Sequence, residues 1–165
     1  MTTIEAFDAA TREEAVTLVA PCVAIPSFAE ALADGRPYVD LPALLAAARE
    51  LTESWSDDDV MTALADHPRI GQRHSGSGAS AALSSAEQAG VDSGDDDIAA
   101  RLAAGNAAYE ERFGRIYLVR AAGRSAEELL EILDERLTND PATELAVTKQ
   151  QLGEIALLRL EGLFQ

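Results

Sequence analysis

The chain has two histidines, and one of them opens the stretch His67-Pro68-Arg69-Ile70-Gly71. Proline fixes its own φ and drives the preceding residue out of the helical region, so the spacing predicts His67 at a turn and not inside a helix. Imidazole is the side chain whose unperturbed pKa lies near neutrality, which suits a positioned histidine to general acid or base work. A turn histidine bonded to backbone is the plainer reading, and the pattern alone leaves both open. Glu87 stands in a run of small, uncharged residues from Gly76 to Gly90. It reads either as a solvated carboxylate at a helix start or as a partner in the same chemistry. Arg159 lies among Ile155, Ala156, Leu158 and Leu160, where an arginine either snorkels to solvent or pairs with an anion. Arg120 and Arg124 flank Ala121-Ala122-Gly123, a small-residue turn whose N–H groups could meet a ligand carbonyl or carboxylate; a plain turn is the alternative.

Other chemistries find no support. His67 and His74 are seven residues apart across a glycine-rich loop, and no HExxH or cysteine pair appears, so no metal site is expected. The single cysteine, Cys22, allows no intramolecular disulfide; it sits in an apolar stretch without a neighbouring histidine and reads as a buried structural thiol. Phosphate loops, dinucleotide fingerprints and nucleophile elbows are all missing. A net charge of -16 argues against a nucleic-acid surface and against docking on anionic lipid. An anionic substrate would need a local cluster of arginines working against that field. With no signal-peptide pattern and no apolar stretch near the roughly 20 residues of a membrane span, a cytoplasmic protein is expected.

The elements that must carry these residues read as helices. Ala and Leu dominate the apolar set, which favours helix over strand. A capping box at Thr11-Arg12-Glu13-Glu14 splits residues 4–20 into two short helices, with Pro21 ending the second. Pro26 starts another, to about Ala33, closed by Asp34-Gly35. Asp40-Leu41-Pro42 caps a helix to Glu53, and Ser56 with three aspartates caps the one leading to His67. Residues 71–80 read as a loop, and Ser84 or Ser85 as the cap of a short helix holding Glu87 and Gln88. A helix over 95–113 follows, with Ile98, Leu102, Tyr109 and Phe113 at helical spacing. Ile116-Tyr117-Leu118-Val119 is strand-like but too short and too isolated to build a sheet. Ser125 caps a helix ending near Asn139, and Asp140-Pro141 starts the last one, to about Leu163. The prediction is an all-α, single-domain bundle of about eight or nine helices spanning residues 1–165.

Five blocks, taken in order and spacing, carry a resemblance that covers Phe7 to Leu163. They are His67-Pro68-Arg69-Ile70-Gly71, Ser84-Ser85-Ala86-Glu87-Gln88-Ala89-Gly90, Asn106 to Gly114, Ala122-Gly123-Arg124-Ser125 and Glu154 to Leu160. In these the chain resembles the OHCU decarboxylases, which act on 2-oxo-4-hydroxy-4-carboxy-5-ureidoimidazoline, the unstable last intermediate of urate breakdown. The most specific part is the His-Pro block followed by the Glu-Gln block. The resemblance implies an all-α, cofactor-free, homodimeric enzyme that makes (S)-allantoin and CO2 from a small anionic ureidoimidazoline. It implies a catalytic set of His67, Glu87 and Arg159. It also implies ligand contacts at Pro68, at Ser84, Ser85, Ala86, Glu87 and Gln88, and at Val119, Arg120, Ala121, Ala122 and Gly123. Gln72 and His74 depart from the family pattern in the 71–80 loop. Two rivals remain at this stage: a non-enzymatic helical interaction module, and a helical hydrolase of a related ureido compound using the same three residues on water.

Overall fold

Oxygen-bearing side chains set where the helices begin. The computed structural model describes residues 1–71, 79–91 and 95–164. Thr3 Oγ1 accepts from the Ala6 amide and opens α1 (Ile4–Ala9). Thr11 Oγ1 accepts from Glu14 N while Glu14 Oε2 accepts from Thr11 N, the predicted capping box, at the head of α2 (Arg12–Val19). A 3-10 turn over Ala20–Cys22 then absorbs Pro21. Proline at its first position opens α3 (Pro26–Asp34), and Asp40 caps α4 (Leu41–Glu53). Ser56 and Asp59 cap each other's backbone at the start of α5 (Asp57–Leu64). Next come α6 (Ala79–Glu87), α7 (Asp96–Phe113) capped by Asp95, α8 (Ala126–Arg136) capped by Ser125, and α9 (Pro141–Leu163) opened by Asp140. Gly114 closes α7 at φ +70°, a left-handed cap that glycine adopts without strain. Among the described residues there are nine α-helices and no strand, and the fold is all-α.

Two boundaries differ from the sequence expectation. Helix α6 begins at Ala79, five residues before Ser84, because Ala79–Leu83 is rich in strong helix formers that carry the helix through the serines. Ser84 and Ser85 are therefore helical residues and not caps, and Glu87 is the last residue of α6. Helix α8 ends at Arg136, and residues 137–139 continue as tighter turns closed by Thr138 N→Glu135 O and Asn139 N→Arg136 O. The apolar run at 116–119 has no ladder partner and lies as irregular chain.

The chain divides into two compact units. The first holds Met1–Ala63 and Leu152–Gln165. Its chain ends meet at Thr2 N→Leu163 O, 3.0 Å, beside the edge-on rings of Phe7 and Phe164. Arg36 reaches three helix-end carbonyls, Phe7 O and Ala10 O at 2.7 Å each and Ala33 O at 2.8 Å. One guanidinium thus satisfies the open ends of both α1 and α3.

The second unit, Leu64–Gln151, packs Leu102 and Tyr109 of α7 and Leu129, Leu130 and Leu133 of α8 around Ile70, Tyr117, Val119 and Ala121. Gly105 lets α7 approach α8, since a Cβ there would lie 2.4 Å from Leu133 Cδ2. A side chain at 105 gains up to about 1 kcal/mol of helix propensity but overfills the space against the fully buried Leu133. Gly105→Val is therefore expected to destabilise the protein by about 1–3 kcal/mol in urea unfolding; an unchanged or raised midpoint would show that Leu133 yields freely.

Candidate active site

Leaving α5, the His67 amide still donates to Leu64 O at 3.1 Å, and the chain then turns out of the helix as Pro68 requires. His67 and Pro68 are half-buried. The next three residues are each tied down by a side chain from elsewhere in the second unit. Glu110 on α7 holds Arg69 Nε at 2.8 Å. Asn106, one helical turn earlier, donates Nδ2 to Ile70 O at 3.0 Å. Gln88, the residue after α6, accepts from Gly71 N at 2.9 Å and donates to Arg69 O at 3.4 Å. Gly71 takes φ +87°, a conformation L side chains rarely adopt. Because Glu87 precedes Gln88, the same clamp ties the Glu87 end of α6 to the loop that bears His67.

Glu87 is half-buried, and its carboxylate sits at the C-terminal end of α6, where the helix dipole disfavours negative charge. This corrects the plainer sequence reading, in which a helix-start carboxylate gains from the dipole. Ser84 is buried and Ser85 and Ala86 are exposed on the same last turns.

Val119 to Gly123 forms the other predicted contact segment. The Arg124 amide closes a turn onto Ala121 O at 3.1 Å, with Gly123 at φ +76°. Arg120 Nη1 folds back to Ala122 O at 2.8 Å and Arg124 Nη1 to Arg120 O at 3.3 Å. Both arginines brace the turn's own carbonyls. Val119 and Ala121 are buried, and among the described residues nothing accepts from their amides. Buried amides are rarely left so, which makes this edge suited to a ligand's oxygen atoms.

Arg159 belongs to the first unit. It does not snorkel: it is 4% exposed, with Nη1 reaching Pro21 O at 3.3 Å and Cys22 O at 3.5 Å. Cys22 is buried beside it, and burial pushes the thiol up to about 12 although the neighbouring guanidinium pulls the other way. That fits the structural thiol expected from the sequence. Gln72 and His74 lie outside the described residues. Among the described residues no group of three His, Cys, Asp or Glu side chains is placed to hold a metal ion. No described helix is long and apolar enough to cross a membrane.

The profile of the OHCU decarboxylase family matches residues 8–161. The chain belongs to the OHCU decarboxylase family. A 2-oxo-4-hydroxy-4-carboxy-5-ureidoimidazoline decarboxylase from Amia calva is 34% identical over 142 residues, covering 85% of this chain and 81% of that protein. The uric acid degradation bifunctional protein TTL of Arabidopsis thaliana is 30% identical over 146 residues, which is 87% of this chain but 45% of the longer plant protein. Among solved structures, an OHCU decarboxylase crystallised in the presence of (S)-allantoin superposes with TM-score 0.71 at 25% identity, over 93% of this chain and 98% of that one. An (S)-allantoin synthase shares the fold, with TM-score 0.76 at 18% identity over all of this chain and 54% of its own.

For a decarboxylase of this family, sequence reasoning placed the His67 and Glu87 blocks but missed what locks them. Asn106 is 6% exposed and its Oδ1 is buried without a partner, so this polar side chain is kept at some cost for its bond to Ile70 O. The signal was present: Leu102, Asn106, Tyr109 and Phe113 share one helical face, and Asn106 is the polar member of an apolar stripe. Asn106→Ala strands the Ile70 carbonyl and is expected to lower unfolding free energy by about 1–3 kcal/mol. An unchanged denaturation midpoint would mean that the bond holds nothing.

Proposed function

We propose that the chain decarboxylates OHCU to (S)-allantoin and CO2, the last step in converting urate to allantoin, by cofactor-independent acid/base catalysis. The observation that carries this reading is the Gln88 clamp, which fixes the family's His-Pro block against its Glu-Gln block within one unit. Family membership supplies the substrate, and the substrate's own chemistry fits a site built from acid/base and cationic side chains.

The substrate bears its carboxylate on a ring carbon that also carries a hydroxyl, next to a ring C=N. When the bond to CO2 breaks, its electron pair moves into that C=N, so the ring is its own electron sink. The ring nitrogen that receives the pair takes up a proton; the enol so formed then loses its hydroxyl proton and the neighbouring carbon gains one on a single face, so that one proton is taken up in all. In this reading His67 handles the proton at the hydroxyl. Glu87 holds the ureido and ring N–H groups or sets the histidine tautomer. Arg159 positions the anionic group. Pro68 and the Ser84–Gln88 turn line the ligand, and the 119–123 backbone receives carbonyl oxygens. A single domain over residues 1–165, assembled as a homodimer in the cytoplasm, completes the proposal.

General acid/base assistance is worth about 10²–10⁴-fold. His67→Asn is therefore expected to lower kcat/KM for freshly generated OHCU by about that factor, with an unchanged circular dichroism spectrum and thermal midpoint. A folded variant with near-normal turnover would remove His67 from the mechanism.

A further inference from the structure

The most deeply buried ion pair among the described residues joins the end of α8 to the start of α9. Arg136, at the end of α8, and Glu144, in the first turn of α9, are 5% and 0% exposed. Glu144 Oε1 accepts from Arg136 Nε at 2.7 Å and from the Tyr109 hydroxyl at 2.6 Å, and Oε2 accepts from Asn139 Nδ2 at 3.0 Å. The guanidinium lies 5.0 Å from the Tyr117 ring centre and donates Nη2 to Thr148 Oγ1 at 3.3 Å. Its remaining arm, Nη1, donates to Leu118 O at 2.6 Å. Two residues along, Gln151 Oε1 on α9 accepts from Arg120 N at 2.9 Å. Well-packed apolar residues often stabilise a core as well as a buried ion pair does. What they cannot supply is a fixed, directional donor to a backbone carbonyl.

We propose that Arg136, oriented by Glu144, and Gln151 are positioning residues for the substrate. They hold Leu118 O and Arg120 N from the α8–α9 side and thereby present the amides of Val119 and Ala121 to the ligand's carbonyl oxygens. The inference rests on the reading of Val119–Gly123 as substrate contacts. Leu118 and Arg120 are held, while the Val119 and Ala121 amides, in residues 2% and 5% exposed, have no acceptor among the described residues. The fork matters as well as the charge, since Arg136 must reach the carboxylate and the carbonyl together.

The test compares wild type with two variants. Arg136→Met/Glu144→Leu removes the whole pair and so leaves no lone buried charge. Gln151→Met leaves the pair intact and keeps the question answerable should the double variant fail to fold. In folded variants we expect KM for OHCU and Kd for (S)-allantoin to rise about tenfold, with kcat changed much less. The Val119 and Ala121 amide resonances should move, and the pH profile should stay as in wild type. Arg136→Lys should fold without restoring KM. KM and Kd within about twofold of wild type, with those resonances unmoved, would overturn the proposal and leave the pair a purely structural feature. If wild type itself does not turn over OHCU, the functional reading falls separately. The Val119 and Ala121 resonances then decide the positioning role, shifted in both variants if it holds and unshifted if it does not.

Discussion

A proline after His67 forbids the helix that would otherwise satisfy the loop's backbone, so residues 69–71 depend on side chains from other elements. Gln88 meets that need on both sides of Ile70, and Asn106 meets it at Ile70 itself. The consequence reaches past the loop. The side chain that closes the backbone account at Gly71 belongs to the residue after Glu87, so satisfying the loop and bringing up the carboxylate are one event. A carboxylate at the end of α6 gives up a few tenths to about 1 kcal/mol against the helix dipole, a small local penalty in a segment fixed by other bonds.

The second recurring device is the inward guanidinium. With 29 acidic residues against 13 basic ones, surface cations would be expected to pair with surface carboxylates, as Arg12 does with Asp34. Arg36, Arg136 and Arg159 instead end on backbone carbonyls at helix ends or in irregular chain. Arginine suits this use because its planar fork serves two or three acceptors and its charge strengthens each bond. In Arg136 the fork also joins a buried carboxylate to the Leu118 carbonyl, which makes the irregular 116–121 run a held structure without any sheet.

Local chemistry was legible in the sequence, and long-range partnership was not. Thr11, Asp40, Ser56, Ser125 and Asp140 mark helix starts because a cap bonds within three residues of itself. Ser84 and Ser85 misled because a serine pair ahead of Glu87 reads like a cap, while the five residues before them favour helix strongly enough to pull it back to Ala79. For Arg159 the sequence leaves snorkelling and anion pairing both open because its acceptors, Pro21 and Cys22, lie far away in the chain. Nothing local in the sequence pairs Arg136 with Glu144, and only folding shows them paired and buried. The His67 and Glu87 blocks were visible as a family pattern, whereas Gln88 as their clamp required the geometry.

The central proposal is that this chain makes (S)-allantoin from OHCU. The most direct measurement generates OHCU in situ, adds the protein, and follows the circular dichroism of the allantoin formed. Spontaneous decay gives a racemate with no signal. The account predicts rapid appearance of the S enantiomer in proportion to protein added; racemic allantoin at the uncatalysed rate would contradict it.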